Sequence, residues 1–271
     1  MSTTTNNTNT ARKDVQFTAT TTSGKAYTIF CKSVAILFSL AFQIIDPGRK
    51  LTSADFFRLV SCLWIVNHQK WKLAGICSIS TSVLDNAFCQ ARRCIEGSIC
   101  GHCYAARQQA RDTGLAEHNL LNGYILRNVL IPVSAFKHLF FIFPYLRIES
   151  FGDVENVIQA RNYLRIIKAF PRIRCAIWSK NIEIWRQAIA WEGMPKNATY
   201  IHSSSYINRA EDPDPKVYWF VDHVFTAYTK AYAEQNNIAI NCGGRKCLDC
   251  IRARKNCYYR NTERFINELK K

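Results

Sequence analysis

Along the second half of this chain the apolar positions switch repeatedly between two periods. Asn156 to Phe170 carries apolar residues at helical spacing and is closed by Pro171, and Ile182 to Trp191 repeats the pattern before Gly193 and Pro195. Between and after them lie short, dense apolar runs of strand length: Ile173 to Trp178, Thr199 to His202, His223 to Tyr228 and Ile238 to Asn241. The series opens with the apolar run Leu139 to Phe143 and, after Pro144, a mixed strand from Tyr145 to Phe151 that ends at Gly152-Asp153. Strands alternating with helices at this spacing predict an α/β fold. Its sheet is expected to be parallel with right-handed crossovers, either open or curled into a partial barrel.

Upstream the grammar is helical. Tyr27 to Ile45 and Ser53 to Trp71 read as helices; Thr52 or Ser53 can cap the second, and Phe56, Phe57, Val60, Leu63 and Trp64 give it an apolar face. The stretch from Ser33 to Ile45 is 13 residues long, short of the roughly 20 that a membrane span requires, and Lys32 and Gln43 flank or interrupt it. It reads as a buried helix. Met1 to Gly24 is rich in Thr, Asn and Ser with no apolar core, so it reads as a solvated tail and not as a signal peptide. The expected organisation is a tail over residues 1–24, a helical lead-in over 25–85, the α/β unit over 86–241 and a Cys-rich segment over 242–271.

In parallel sheets, chemistry gathers at the carboxyl ends of the strands. Polar residues stand at four such ends: Ser150, Gly152 and Asp153; Ser179, Lys180 and Asn181; Ser203 to Ser205; and Thr229 with Lys230. Each alone is an ordinary cap or turn former. Four strands ending this way make a candidate site.

The cysteines change the picture most. Of twelve, eight fall into two tight groups: Cys89, Cys94, Cys100 and Cys103 in the middle, and Cys242, Cys247, Cys250 and Cys257 near the end. A short loop brings thiolates onto one soft metal centre at little entropic cost. In a chain that reads as residing in a reducing cytoplasm, the CxxC spacings at Cys100/Cys103 and Cys247/Cys250 favour metal over disulfide. Cys31, Cys62, Cys77 and Cys175 lie in apolar runs and read as small buried hydrophobes. In the middle group, Cys94, Cys100 and Cys103 alone would leave one iron of a [4Fe-4S] cluster open to a ligand, whereas adding Cys89 would close the site. His102, between two ligating cysteines, is expected to point outward, and a helix from Tyr104 to Glu117 is expected to start just after Cys103. The terminal group has four thiols and a flexible Gly243-Gly244 turn, fitting either zinc or a second [4Fe-4S] cluster.

Charge adds a possible partner class. The formal net charge is +16 and the pI about 9.4, which attracts polyanions, though many basic proteins bind nothing specific. Arg245, Lys246, Arg252, Arg254, Lys255 and Arg260 crowd the terminal cysteines with Tyr258 and Tyr259 among them, a mixture able to engage the phosphates and bases of nucleic acid.

Four segments together carry a resemblance: Asn86-Ala-Phe-Cys89; Ile99-Cys100-Gly-His-Cys103-Tyr-Ala105; Leu146-Arg-Ile-Glu-Ser-Phe-Gly152-Asp153; and Ile177-Trp-Ser-Lys180. In this order, over roughly Trp71 to Tyr258, they resemble the phage and bacterial proteins typified by mycobacteriophage gene product eighty-eight. That family is similar in layout to radical S-adenosylmethionine enzymes, and the resemblance implies a partial (β/α) barrel, a phage origin and location in the host cytoplasm. It further implies that Cys94, Cys100 and Cys103 hold a [4Fe-4S] cluster, and that Ser150, Gly152 and Asp153 lie where the amino group of S-adenosylmethionine is gripped. Lys180 and Lys230 would hold an anionic substrate group, and the terminal centre would be auxiliary. Two features differ from that layout: five residues separate Cys94 from Cys100 where three are usual, and Phe151-Gly152-Asp153 replaces Gly-Gly-Glu. The competing expectation is a non-catalytic, metal-stabilised protein that binds nucleic acid through Arg252, Arg254, Lys255, Tyr258 and Tyr259.

Overall fold

The computed structural model describes residues 17–20, 26–243, 246–254, 257–260 and 263–270. A short antiparallel hairpin, β1 (Phe17–Thr20) and β2 (Ala26–Ile29), precedes α1 (Lys32–Ile45) and α2 (Ser53–Ser61). β3 (Val66–His68) and β4 (Ile76–Ile79) follow, then α3 (Ala87–Arg93), a single 3-10 turn over Ile99–His102, α4 (Tyr104–Arg111), α5 (Thr113–Asn128) and α6 (Val133–Phe136). From there strand and helix alternate: β5 (Tyr145–Ile148), α7 (Val157–Ala169), β6 (Arg174–Ser179), α8 (Ile182–Glu192), β7 (Ala198–Ser203), β8 (His223–Tyr228), α9 (Lys230–Gln235), α10 (Cys247–Arg252) and β9 (Phe265–Leu269). No described helix is long and apolar enough to cross a membrane.

The α/β fold and its parallel sheet are as expected. β3 to β9 form one seven-stranded sheet in strictly sequential order; only the β3–β4 pair is antiparallel. Laid flat, the five inter-strand steps from β4 to β9 would span roughly 24 Å. Yet Lys72, in the turn between β3 and β4, donates to Glu268 of β9 at 2.6 Å. The sheet is therefore strongly curled.

Curling gives it two distinct faces, and the strands alternate between them. Cys77, Ile79, Leu146, Ile148, Cys175, Ile177, Tyr200 and Val224 point to the convex face, into the core shared with α1, α5, α7 and α8. Their neighbours Ile76, Ala176, Ile201 and Ile266 point to the concave face, where Ile251, Cys257 and Tyr258 of the terminal segment meet them. Both faces being covered explains why these strands read as dense apolar runs.

Several boundaries differ from the expected ones. Tyr27 to Ile29 is a strand, and the second helix stops at Ser61 instead of Trp71, because Val66 to His68 pair with β4. The α/β unit thus begins with β3, ahead of residue 86. Thr52 does cap α2, in a reciprocal box with Asp55. The helix expected over Tyr104 to Glu117 breaks at Asp112, whose carboxylate accepts from Leu115 N at 3.0 Å and starts a new helix. Ile238 to Asn241 is not a strand, since β9 occupies the edge of β8 in full register from Val224↔Phe265 to Tyr228↔Leu269. Within the expected tail, Phe17 to Thr20 pair with β2; the rest of it lies outside the described residues. Cys62, Cys77 and Cys175 are buried as expected, whereas Cys31 is half-buried at the start of α1, its Sγ 3.1 Å from Ser33 Oγ.

Candidate metal and ligand site at the carboxyl ends of the strands

The loops leaving β4 and β5 lie directly against each other. Ser80 Oγ accepts from the backbone N–H groups of Ser150 (3.1 Å) and Phe151 (3.3 Å). Gly152 has φ +78, and a Cβ there would fall 2.6 Å from Thr81 Oγ1 and 2.7 Å from Thr81 O. Only glycine permits both the conformation and the approach. Glu149 also has positive φ, at 56°, and its buried carboxyl accepts from Thr81 N (3.1 Å), Thr81 Oγ1 (2.9 Å), Gln159 Nε2 (3.0 Å) and Tyr163 Oη (2.7 Å). Burial pushes its pKa up to about 8, with Asp153 adding to the rise and the hydrogen bonds from Tyr163 and Thr81 opposing it.

Asp153 is buried, and both its oxygens are committed. One accepts from Ser179 Oγ and from Val154 N (2.8 Å), the other from Lys180 N (2.7 Å). Burial raises this carboxyl, against those hydrogen bonds. Asp153 thus ties the β5 loop to the end of β6. Gly152 likewise serves loop apposition. Ser150 differs: its carbonyl accepts from the Tyr104 phenol at 2.9 Å, while its Oγ is buried without a hydrogen-bond partner.

The two lysines separate. Lys180 Nζ, half-buried beyond β6, donates to Ser203 Oγ at the end of β7 (2.7 Å). His202 beside it is buried with Nδ1 unpartnered, and burial lowers its pKa to about 4. Lys230 is exposed (78 % for its side chain), and its ammonium lies 3.7 Å from Glu234 one helical turn on in α9. It is a solvated helix residue outside the site.

The middle cysteine loop closes over this end of the sheet. Asn86 caps α3 by accepting from Cys89 N (2.8 Å) and donates to Asp153 O (2.6 Å), which fixes the loop's start. Its far side is pinned to β7, where Ile99 N donates to Ser205 O at 2.9 Å and Ser98 bridges to Tyr206. Cys89 and Cys103 pack with Phe151 against Val83, Ala105 and Ala106. Burial first, then the charges of Asp153, Glu149, Cys100 and Cys103, raise the Cys89 thiol well above its ordinary range. Cys94, in contrast, is exposed at the last turn of α3. Of the four, Cys89 and Cys103 share one apolar cluster, Cys100 is half-buried and Cys94 faces solvent. His102 is exposed, as expected, and α4 starts directly after Cys103. Arg93, His102, Cys103 and Arg107 line a cleft of about 240 Å³ on the loop's outer side.

The terminal cysteines lie elsewhere, under the concave face. Cys242, Cys247 and Cys257 pack into the cluster of Ile76, Ala176, Ile201 and Ile266, and Cys250 is half-buried. Tyr258 is 3 % exposed, edge-on to Tyr145 at 5.8 Å, and the Arg174 guanidinium lies 4.5 Å over Tyr259. Tyr258 thus packs against the strands, while Tyr259 is half-buried beneath the Arg174 guanidinium. Arg252 and Arg254 are exposed; Gly244, Arg245 and Lys255 lie outside the described residues. Among the described residues no three His, Cys, Asp or Glu side chains are already set as a coordination shell.

No family model, curated protein or solved structure matches the chain.

Sequence reasoning passed over Arg147, Trp178, Glu149 and Tyr163. A charged residue within a mixed strand reads as solvent-facing, yet Arg147 lies on the concave face with its guanidinium 4.2 Å over the Trp178 ring. The signal was Arg147 flanked by Leu146 and Ile148, which fixes it on the face opposite the convex core.

Proposed function

We propose that the chain is an iron-sulfur protein with the layout of radical S-adenosylmethionine enzymes, a partial (β/α) barrel whose cluster loop follows the first parallel strand. One observation carries the reading. The thiol-bearing loop after β4 is fastened across the carboxyl ends of β5 and β7, so soft-metal donors meet the loops where parallel sheets do their chemistry. The donor set fits a [4Fe-4S] cluster in type: the segment after β4 carries four thiols, of which Cys89 packs with Cys103, Cys100 is half-buried and Cys94 is exposed, so Cys89, Cys100 and Cys103 are the three proposed ligands. They would hold the cluster, which when bound supplies single electrons to a ligand.

The remaining residues bind and orient. Ser150 Oγ supplies an uncommitted polar atom beside the loop, and Tyr104 holds the Ser150 carbonyl in position. Lys180, steadied by Ser203, offers a cation for a carboxylate or phosphate. Phe151 and the apolar wall of Val83 and Ala105 limit water at the cysteines.

The test is reductive cleavage of S-adenosylmethionine by anaerobically purified protein supplied with excess dithionite, which delivers through the cluster the one electron that each cleavage consumes, the deoxyadenosyl radical then taking a hydrogen atom from substrate or buffer. Wild type should form deoxyadenosine and methionine, and Cys100→Ala should not. A brown protein that leaves S-adenosylmethionine intact would keep the cluster and remove the enzymatic reading; a Cys100→Ala variant that still cleaved it would remove the site.

A further inference from the structure

On the concave face three buried donor atoms find no acceptor among the described residues: Arg147 Nε, Trp178 Nε1 and Tyr258 Oη. They belong together. The Arg147 guanidinium lies over the Trp178 ring, and Tyr258 and Trp178 pack in the same apolar cluster. Arg147 is half-buried with no carboxylate partner among the described residues, so its charge lacks a protein counter-ion. The charged or ionisable groups it feels are Tyr104 on one side and Tyr258, Cys247 and Cys257 on the other. A second cation reaches the same place: Lys72 Nζ, paired with Glu268 at 2.6 Å, also lies 3.6 Å from Cys242 Sγ, while the Lys72 carbonyl accepts from Cys247 N at 2.8 Å. Leu248, within the same turn, seats against Gly75, where an added Cβ would meet its side chain at 3.0 Å.

From this convergence we infer that Cys242, Cys247, Cys250 and Cys257 form a separate thiolate metal centre beneath the concave face, with Arg147 and Lys72 as its counter-cations. Four thiolates around a divalent ion, or around a [4Fe-4S] core, leave a net negative charge, and a guanidinium and an ammonium offset it. The chemical class is a thiophilic metal, zinc or iron-sulfur. The sulfurs are not yet set as a shell, so binding draws the segment together and the metal orders it. This goes beyond the reading of the middle loop and does not depend on it.

The test uses the full chain, reduced and metal-free, titrated with Co²⁺ against a competing chelator. Wild type should develop thiolate-to-cobalt absorption that Cys250→Ser diminishes and that persists in Cys100→Ala. Arg147→Gln should weaken the apparent Co²⁺ affinity by about 10-fold or more, with Arg147→Lys retaining most of it. In the metal-free state, Arg147→Gln should be no less stable than wild type, because it removes a half-buried cation that has no carboxylate partner among the described residues. A merely structural arginine would give the reverse: a destabilised metal-free protein with unchanged cobalt affinity, and that result overturns the inference. Should Arg147→Gln fail to fold, Lys72→Met, in a half-exposed turn, should weaken cobalt binding, and unchanged affinity there overturns it equally. Absence of cobalt absorption sensitive to the terminal cysteines also overturns it, while leaving the activity test at Cys100 standing. Zinc analysis against iron and sulfide analysis of anaerobic protein tells the two metals apart.

Discussion

Gly152→Ala separates a glycine required by the fold from one required by a ligand. Both Gly152 (φ +78) and Gly48 (φ +62) adopt left-handed backbone, so alanine at either costs about 1–2 kcal/mol in conformation alone. Gly48 has nothing within 4 Å of the added Cβ, whereas at Gly152 it meets Thr81 Oγ1 at 2.6 Å, Thr81 O at 2.7 Å and Glu149 Oε2 at 3.0 Å. Two of these are hard to move: a backbone carbonyl, and a hydroxyl that donates to the buried Glu149 carboxyl. Relieving the overlap adds about 1–3 kcal/mol, and disturbing the Thr81 bonds to Glu149 adds about 1 kcal/mol more. Gly152→Ala should therefore lose about 4 kcal/mol and Gly48→Ala about 1 kcal/mol. Urea denaturation of the two variants beside wild type, with slopes compared to confirm a common unfolded state, measures the difference. Equal midpoints would refute the claim that Gly152 exists to let the β4 and β5 loops touch.

Burial holds Glu149 near pH 8 in the fold, while an unfolded glutamate titrates at about 4.3. Between those values the folded chain keeps a proton that the unfolded chain has released, so this group makes stability fall as pH rises, by on the order of 1.4 kcal/mol per unit. Urea midpoints from about pH 5 to about pH 8 should show that slope in wild type and a flatter one in Glu149→Gln; equal slopes would dismiss the assignment. Glu192 collects Arg161, Arg165 and Lys168 between α7 and α8, so Glu192→Ala should cost about 2–3 kcal/mol in the same assay, and a loss under 0.5 kcal/mol would show the cluster to be inert. Lys180→Ala should weaken equilibrium binding of S-adenosylmethionine or an anionic substrate about 10-fold, with Lys230→Ala unchanged; matching losses would contradict the separation of the two lysines.

The sequence made the strands after Pro144 legible because both faces of the sheet are covered. His223 to Tyr228 reads as a strand end to end, and Asn156 announces α7 as its cap. β4 escaped notice because Ile76 to Ile79 is four residues long with a Ser and a Cys inside it, and its burial comes from neighbours distant in sequence. β9 escaped for the same reason: Phe265-Ile-Asn-Glu-Leu269 is mixed, and pairing with β8 rather than composition makes it a strand. Curvature was the largest hidden quantity. It turns Arg147 from an apparent surface residue into a half-buried one and carries the terminal cysteines to the concave face. The exposure of Cys94 beside a half-buried Cys89 was equally out of reach, since it follows from α3 ending at Cys94 and leaving that thiol in solvent.

Iron and acid-labile sulfide per chain, measured on anaerobically purified Cys89→Ser and Cys94→Ser beside wild type, test the central claim most directly. Wild type and Cys94→Ser should both be brown with matching iron and sulfide at the middle loop, and Cys89→Ser should lose that share. A colourless wild type, or a Cys94→Ser variant that loses the iron while Cys89→Ser keeps it, would contradict the account.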